Sequence, residues 1–262
     1  MKYIALPARF STVSPGSETP VRQLSFYLAM EEYVARQLLP SPLNPHPSTL
    51  TPQPSPVTDA FFLWQVAPSV IFGRNQVMEN EVNTDYCREH GISMFRRKSG
   101  GGCVYADMGN VMLSYITTTE NVGFAFNRFV NMVLLVLRKM GIEATGTSHN
   151  DILVGDKKVC GTACYHVAGR SIVHSTMLYD TDMQHMLNAI TPSREKLQKK
   201  GIESVRQRIT LLKDHTTLTL DELKSLIRET LCDGEVMLTT DDVAAIEQIE
   251  RSYLKEEFIK LL

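Results

Sequence analysis

The spacing of apolar and polar positions along the chain predicts two helices in its first half. Apolar residues between Val21 and Gln37 recur at helical intervals, among strong helix formers. Between Phe124 and Met140, aromatic and aliphatic residues fall on one face, and Gly141 ends the pattern. The second helix is therefore expected to bury one side against a core.

Short runs rich in β-branched and aromatic residues predict a series of strands. They are Phe61–Val66, Ser69–Gly73, Ile92–Arg97, Val111–Thr117, Asp151–Val154, Lys158–His166 and Ser171–Tyr179. Gly155 and Asp156 are typical of a tight hairpin between two of these runs. From Asp182 onward the strand signal disappears, and the last helix is predicted from Asp241, as its cap, to Leu262.

This order of elements predicts a single α+β domain, with residues 1–190 as its core and residues 191–262 as a helical segment. Residues 40–58 interrupt the pattern, since Pro40–Pro56 holds seven of the chain's 12 prolines. Proline lacks an amide N–H and fixes φ, so this stretch forms neither a helix nor a central strand. An exposed surface loop is expected there rather than a binding segment.

Composition and charge exclude several classes of function. The apolar runs are too short for a membrane helix, and the first residues do not resemble a secretory signal. The 27 Lys and Arg against 29 Asp and Glu give a net charge of −2, which argues against a general nucleic-acid binder. The five cysteines are odd in number and lack C-x-x-C spacing, so reduced thiols in a cytoplasmic protein are expected.

The strongest candidate for chemistry is the run from Arg96 to Tyr105, which contains Gly100, Gly101 and Gly102 in succession. Without Cβ atoms the backbone can turn freely, and its N–H groups can approach phosphate oxygens. Two arginines and a lysine come directly before the glycines and add positive charge. The spacing matches neither a Walker A loop nor a dinucleotide fingerprint. Taken alone, the run leaves a flexible turn with a basic flank as the alternative.

Three further places carry polar residues on or beside strands. Asp151, next to Asn150, can hold Mg²⁺ or a nucleobase amine. Lys158 can reach a phosphate or acyl oxygen, with a solvated hairpin as the alternative. His174 lies in an alternating strand, where a buried core histidine is the default, and Arg74 follows a strand where a simple turn is the alternative.

Taken in order along the chain, these motifs resemble those of the lipoate-protein ligases. The matching segments are Gly73–Gln76, Arg96–Gly102, Asn150–Asp151, Lys158–Ala163, His174 and Lys200–Arg208, together with the helix over Ser25–Arg36. The resemblance covers most of the chain and leaves only Pro40–Pro56 plainly outside it. It implies an α+β fold shared with biotin ligases, built on a mixed β-sheet with packed helices.

The resemblance implies a reaction in two steps. The lipoate carboxylate attacks the α-phosphate of ATP, with Mg²⁺, and gives lipoyl-AMP and pyrophosphate. The ε-amine of an acceptor lysine then attacks the mixed anhydride and releases AMP. The implied acceptors are the lipoyl domains of 2-oxoacid dehydrogenases and the H protein of glycine cleavage. Both steps build negative charge on oxygen, so preorganised donors are the main catalytic need.

The resemblance also implies roles for individual residues, with Lys158 as the catalytic one. The implied ATP-binding residues are Arg97, Gly102, Cys103, Val104, Tyr105, Asn150, Asp151 and Lys158, with Asp151 as the Mg²⁺ ligand. The implied lipoate-binding residues are Arg74, Gly100, Gly101, Lys158, Gly161, Ala163 and His174. The aliphatic chain of lipoate needs an apolar slot, which the surroundings of Phe72, Val104 and Tyr105 could supply. Arg74, Arg96, Arg97 and Lys158 would then gather around one anionic adenylate.

The sequence departs from the family pattern in two places. Ala106 stands where many relatives have a histidine, so any role of that histidine is missing. The chain stops at Leu262, whereas the fullest bacterial ligases carry a further C-terminal domain, so it resembles the single-domain form. For that form, a separate accessory subunit for adenylation, or transfer from a preformed acyl-nucleotide only, remains open.

Three rival functions remain open on the sequence. An octanoyltransferase of the same fold would use a cysteine and no ATP, but Cys160 and Cys164 are not where its thiol is expected. Biotin ligation is a rival on fold alone. A module that binds lipoate or nucleotide without modifying any protein is the non-enzymatic rival. The preference for lipoate over octanoate does not follow from the sequence.

Overall fold

The structure is a computed structural model, and it describes residues 1–10, 22–39, 57–147, 151–191 and 208–260. The strands in these ranges are β1 (Lys2–Ala5), β2 (Asp59–Trp64), β3 (Ser69–Phe72), β4 (Ser93–Arg96), β5 (Val104–Ala106), β6 (Asn110–Thr117), β7 (Ala144–Gly146), β8 (Asp151–Val154), β9 (Lys157–Val167), β10 (Arg170–Leu178) and β11 (Gly234–Met237). The helices are α1 (Leu24–Tyr33), α2 (Met78–Glu81), α3 (Thr84–Glu89), α4 (Val122–Lys139), α5 (Met183–Ala189), α6 (Leu220–Leu231), α7 (Thr240–Tyr253) and α8 (Glu256–Lys260). A π-helical turn, Val34–Leu38, continues α1.

Two sheets organise these elements. The larger sheet has eight strands in the order β11-β1-β2-β6-β10-β9-β8-β7. In it, β1 runs parallel to both of its neighbours, and the remaining neighbours pair antiparallel. The smaller sheet has the order β4-β3-β5, with β3 parallel to β4 and antiparallel to β5. The predicted α+β class with a mixed sheet is therefore confirmed.

Helices cover both faces of the larger sheet, as alternate residues of β6 show. Met112 and Ile116 belong to a core cluster that includes α1 and α7. Val111, Leu113 and Tyr115 belong to another cluster that includes α4 and α6. Because successive side chains of a strand point to opposite faces, the sheet lies between two helical layers. A third cluster joins the smaller sheet to α2, α3 and α5.

The helix α1 lies inside the molecule, and every one of its residues is buried. It packs against α7, and both helices share a core cluster with strands of the larger sheet. Its acidic pair, Glu31 and Glu32, is therefore enclosed by protein rather than by solvent. Each of the two carboxylates accepts hydrogen bonds from other elements, as buried charged groups require.

The predicted elements of the first 190 residues are confirmed to within a few residues. Each predicted strand is present, and its ends lie within two residues of the prediction. The predicted hairpin is present as well, since Val154 pairs with Lys157 and leaves Gly155 and Asp156 as the loop. Gly155 there has φ +61°, which explains its place in the turn.

The C-terminal segment differs from the prediction in two respects. Strand β11 lies within it and pairs with β1, although no strand is predicted after Asp182. This strand is only four residues long and mostly exposed, so it lacks the alternation of apolar and polar residues that marks a strand in a sequence. The second difference concerns the helix predicted from Asp241 to Leu262, which corresponds to α7 and is capped by Thr239 through a capping box and not by Asp241. It ends at Tyr253, and α8 follows separately.

Some predicted segments lie outside the described residues. They are residues 40–56 of the expected surface loop, residues 192–207 of the expected helical segment, and Asn150. Among the helices in the described ranges, none has the length and apolar character needed to cross a bilayer.

Candidate active site

A cavity of about 690 Å³ lies between the three successive glycines Gly100–Gly102 (the glycine run), the β8–β9 hairpin and β10. Its apolar lining includes Leu28, Trp64, Ile71, Val104, Met112, Leu178, Met186 and Ile190. Its polar and charged lining includes Glu81, Arg97, Asp151, Lys158, Thr162, His174, Ser175, Thr176 and Arg208. The volume is in the range of pockets that bind small-molecule ligands. One cavity thus offers both an apolar surface and a group of cationic and acidic side chains.

Lys158, Asp151 and Arg208 form an ionic cluster in this cavity. The Lys158 Nζ atom is 2.7 Å from Asp151 Oδ1, and an Arg208 guanidinium nitrogen is 3.4 Å from Asp151 Oδ2. All three side chains remain partly exposed, with Lys158 at 29%. One carboxylate therefore holds two cations at the wall of the cavity, where they can meet an anionic ligand.

A β-bulge helps to place Lys158. Ile152 pairs with Cys160 but Leu153 pairs with Lys158, so Val159 is an extra residue in β9. Such an irregularity re-aims the side chains next to it. The ammonium of Lys158 consequently lies over Gly161, where only a glycine leaves room for it.

We expect Gly161→Ala to displace the Lys158 ammonium while the fold persists. A Cβ at this position would lie 2.5 Å from Nζ and 2.7 Å from Cε, and the flexible lysine can yield. A shift of about 1 Å in a catalytic group can cost about 100-fold in rate. The measurements are the rate of the acyl-adenylate formation that the resemblance implies, and the unfolding midpoint. Gly123→Ala, on α4, is the control, and an unchanged rate in Gly161→Ala would contradict the placement.

Arg97 holds the conformation of the glycine run through hydrogen bonds from its buried side chain. Its side chain donates hydrogen bonds to the carbonyl oxygens of Ile71, Gly100 and Gly102 and to Ser99 Oγ, at 2.7–3.2 Å. Burial lowers the pKa of Arg97 to about 10, so the guanidinium stays charged at neutral pH. Arg97 lines the cavity, but most of its donors are used by the loop itself.

Only the middle residue of the glycine run requires glycine by its backbone. Gly101 has φ +93°, a region that other residues rarely adopt. At Gly100 and Gly102 an added Cβ would meet open space. Gly101, Gly102, Cys103, Val104 and Tyr105 line the cavity, whereas Gly100 does not.

The four predicted cations do not gather around one point. Arg96 is buried and donates to the carbonyl oxygens of Gly73, Arg74, Gln76 and Ile259 at 2.8–3.0 Å. Arg74 has an exposed side chain that does not line the cavity. Among the described residues, the cations that line the cavity are Arg97, Lys158 and Arg208.

The structure brings most of the other predicted residues to the cavity. Gly161, Ala163 and His174 line it, as does Trp64, for which no role is predicted. Phe72 is completely buried in the third core cluster and does not contribute to the apolar lining. Arg208 also places a cationic side chain in the cavity. In the sequence it is only the last residue of a segment that resembles the ligases, and no role is predicted for it.

The cysteines in and near the cavity are poorly suited to act as nucleophiles. Cys103 lines the cavity, but burial raises the pKa of its thiol to about 12. Cys160 is completely buried, and burial raises the pKa of its thiol to about 11. The thiolate is the reactive form, so neither thiol is activated at neutral pH.

Asp151 is the predicted Mg²⁺ ligand, and its surroundings limit how it can bind the ion. Its two oxygens face Lys158 and Arg208. The described part of the chain contains no group of three or more histidine, cysteine, aspartate or glutamate side chains that could hold a metal. A single carboxylate fits an ion that is bound mainly by the phosphates of a nucleotide. The assignment of Asp151 therefore stays a prediction.

Known proteins with similar sequences include lipoate-protein ligases. Lipoate-protein ligase 1 of Staphylococcus aureus is 34% identical over 230 residues, which cover 85% of this chain and 65% of that protein. The chain spans only 60% to 66% of the length of four curated relatives that it matches.

Solved structures with the same fold include two ligases. A bi-partite lipoate protein ligase from Thermoplasma acidophilum, studied with its E2 lipoyl domain, has a TM-score of 0.76 at 24% identity. The match covers 99% of this chain and 95% of that one. Lipoate-protein ligase A bound with ATP has a TM-score of 0.73 at 24% identity, over 92% and 95% of the two chains. A profile of the lipoyl protein ligase A/B catalytic domain matches residues 24–232, and the chain therefore belongs to this family.

Proposed function

We propose that this chain activates lipoate with ATP and transfers the lipoyl group to a lysine of an acceptor protein. The observation that carries the proposal is the position of Lys158. Its ammonium lies over Gly161 in a cavity that also contains the glycine run and an extensive apolar lining. A cation at this place can stabilise the charge that develops on phosphate and acyl oxygens.

The first step forms the acyl-adenylate. A carboxylate oxygen of lipoate bonds to the α-phosphorus of ATP, the bond from that phosphorus to the bridging oxygen breaks, and pyrophosphate leaves. Lys158 and Arg208 offer positive charge to the phosphate oxygens, and Asp151 holds both cations in place before the substrate binds. Asp151 is the protein carboxylate that would contact a Mg²⁺ ion bound to the ATP phosphates, and such an ion would neutralise part of their charge.

The second step transfers the acyl group. The neutral ε-amine of the acceptor lysine attacks the lipoyl carbonyl carbon, the bond from that carbon to the phosphate oxygen breaks, and AMP leaves. The amine loses a proton as the amide forms. Lys158 is proposed to stabilise the carbonyl oxygen here as well, so the same ammonium serves both steps.

The apolar lining supports an acid with a long hydrocarbon portion. Leu28, Trp64 and Ile71 contribute side chains from α1, β2 and β3. The aliphatic chain and dithiolane of lipoate can bury their surface there, at roughly 25 cal/mol for each Å² removed from water. The ring system of biotin is more polar, so the lining favours lipoate over biotin.

The proposed partners are proteins that carry a lipoyl-accepting lysine. They are the lipoyl domains of 2-oxoacid dehydrogenases and the H protein of glycine cleavage, with a separate accessory subunit for adenylation as a further component. The name of the relative from Thermoplasma acidophilum describes that protein as bi-partite and pairs it with a lipoyl domain. The chain's five cysteines are all unpaired, which supports a reducing compartment such as the cytoplasm.

To test the proposal, the purified chain is incubated with lipoate, ATP and Mg²⁺, and the release of pyrophosphate is measured. An apo lipoyl domain is then added, and its mass is measured with and without an accessory subunit. The proposal predicts pyrophosphate that depends on lipoate and not on biotin, followed by modification of one acceptor lysine. An octanoyltransferase would release no pyrophosphate, and a binding module would leave the acceptor unmodified.

A further inference from the structure

A completely buried carboxylate lies next to the cavity without lining it. Glu31, in α1, has no exposed surface. It accepts a hydrogen bond from Ser114 Oγ at 2.6 Å, and His174 Nδ1 lies 2.9 and 3.1 Å from its two oxygens. Ser114 accepts in turn from Trp64 Nε1 at 2.9 Å. A buried carboxylate is tolerated only with such partners, so this arrangement is expected to be rigid.

His174 connects this carboxylate to the glycine run. Its Nδ1 is the ring nitrogen next to the Glu31 carboxyl group, and in the tautomer that carries the proton on Nδ1 the other nitrogen, Nε2, is an acceptor. The hydroxyl oxygen Ser99 Oγ lies 2.7 Å from Nε2 and can donate its proton there. The same oxygen accepts from Arg97 Nε at 2.9 Å. The hydrogen bonds therefore form a continuous chain from Glu31 through His174 and Ser99 to Arg97.

The two ends of this series of hydrogen bonds are a carboxyl group and a guanidinium. Glu31 is at one end and Arg97 at the other, and His174 and Ser99 lie between them. Beyond Arg97 the series of hydrogen bonds continues into the glycine run, because the guanidinium donates to the carbonyl oxygens of Gly100 and Gly102. The orientation of the carboxylate in α1 is thus coupled to the shape of the loop that lines the cavity.

The order Ser99–His174–Glu31 is also that of a catalytic triad, but the structure argues against nucleophilic chemistry. Ser99 is completely buried and does not line the cavity, so a substrate cannot reach its hydroxyl. Its oxygen already accepts a hydrogen bond from Arg97, which lowers its capacity as a nucleophile. Among the three residues, His174 alone lines the cavity.

We infer that Glu31 is a positioning residue for the site, acting through His174 and Ser99 on the glycine run. The inference deepens the proposed function, on which its activity measurements depend. Glu31 fixes the proton of His174 on Nδ1, and this directs the Ser99 hydroxyl and completes the set of partners that holds Arg97. The loop is then already shaped before the substrates bind.

The test compares Glu31→Gln with the wild-type chain. An amide offers a single oxygen. With that oxygen in the Oε1 position, where Ser114 donates, an NH₂ donor takes the Oε2 position, 2.9 Å from His174 Nδ1. The histidine proton is expected to move to Nε2, against Ser99. We expect kcat/KM for lipoate to fall about 10- to 100-fold, the effect of losing one hydrogen bond to a charged group. Glu31→Asp, which keeps the carboxyl group, should recover part of the activity.

Hydrogen exchange of the loop amides provides a measurement that does not depend on catalysis. We expect the amides of residues 100–103 to exchange faster in Glu31→Gln than in the wild-type chain. Asp59→Asn is the matched control. Like Glu31, Asp59 accepts a hydrogen bond from a hydroxyl group, in this case that of Tyr115, but it lies outside the cavity lining. It should leave the exchange of residues 100–103 and the activity unchanged.

A double-mutant cycle with Ser99→Ala isolates the proposed connection. If Glu31 acts through His174 and Ser99, adding Glu31→Gln to Ser99→Ala should change loop exchange and kcat/KM little further. Fully additive effects, or loop exchange unchanged by either single variant, would overturn the inference. A wild-type chain that never activates lipoate would contradict the proposed function instead, and the exchange measurements would still decide the role of Glu31.

Discussion

Replacing Lys158 with alanine is expected to lower the rate of lipoyl-AMP formation by about 100- to 1,000-fold, the usual effect of removing one charge-stabilising donor. The ammonium lies over Gly161 and pairs with Asp151 at 2.7 Å, within the cavity and away from the core clusters. The variant should therefore keep its fold. Acyl-adenylate formation is measured in a single turnover, together with the unfolding midpoint of the chain.

The neighbouring lysine provides a matched control for this prediction. Lys157 has an exposed side chain and does not line the cavity, yet it precedes Lys158 directly in β9. Lys157→Ala should react at the wild-type rate. If Lys158→Ala also retained that rate, or if both variants lost activity equally, the role assigned to Lys158 would be wrong.

The second large effect is expected for Arg97→Met, which should lower the free energy of unfolding by about 3–5 kcal/mol, because each buried carbonyl oxygen that loses its partner costs about 1–3 kcal/mol. The change removes the donors to the carbonyl oxygens of Ile71, Gly100 and Gly102. It also leaves Glu31 without the cation at the other end of the hydrogen-bond chain. Lipoate binding should be lost along with stability.

Chemical denaturation and calorimetric titration with lipoate measure the two effects of Arg97→Met. The control is Arg74→Met, because the Arg74 side chain is exposed and lies outside the cavity lining. That variant should differ from the wild-type chain by no more than about 0.5 kcal/mol in stability. Equal stability of Arg97→Met and the wild-type chain would show that the loop does not depend on this guanidinium.

The sequence predicted the strands and helices well where the hydrophobic pattern is strong. β6 and β10 are buried along their whole length and are rich in β-branched residues, so their signal is clear. Strand β11 was missed because it has four mostly exposed residues and is held by pairing with β1, a partner more than 200 residues away in the chain. Such long-range pairing leaves no local periodicity to detect.

The candidate site was predicted in its residue types but not in their orientation. The motif around Arg96 and Arg97 indicated positive charge for a nucleotide. In the structure both guanidinium groups bind backbone carbonyls and build the loops. A sequence motif shows that a cation is present but does not show where its donors point. The bulge that places Lys158 is likewise a property of strand pairing and not of composition.

The contact between Glu31 and His174 could not have been predicted from local patterns. The two residues are 143 positions apart and meet only because α1 packs beside the strand β10. Each residue taken alone has an ordinary interpretation, as part of a helix or as a core histidine. Their pairing becomes visible only when the fold brings both elements together.

The most direct test of the central claim is transfer of the lipoyl group from synthetic lipoyl-AMP to an apo lipoyl domain, followed by intact-protein mass spectrometry. This reaction needs no adenylation step and hence no accessory subunit for that step. Our account predicts that the wild-type chain modifies one lysine of the domain well above the uncatalysed background, and that Lys158→Ala does not exceed that background. Background-level modification by the wild-type chain would contradict the account.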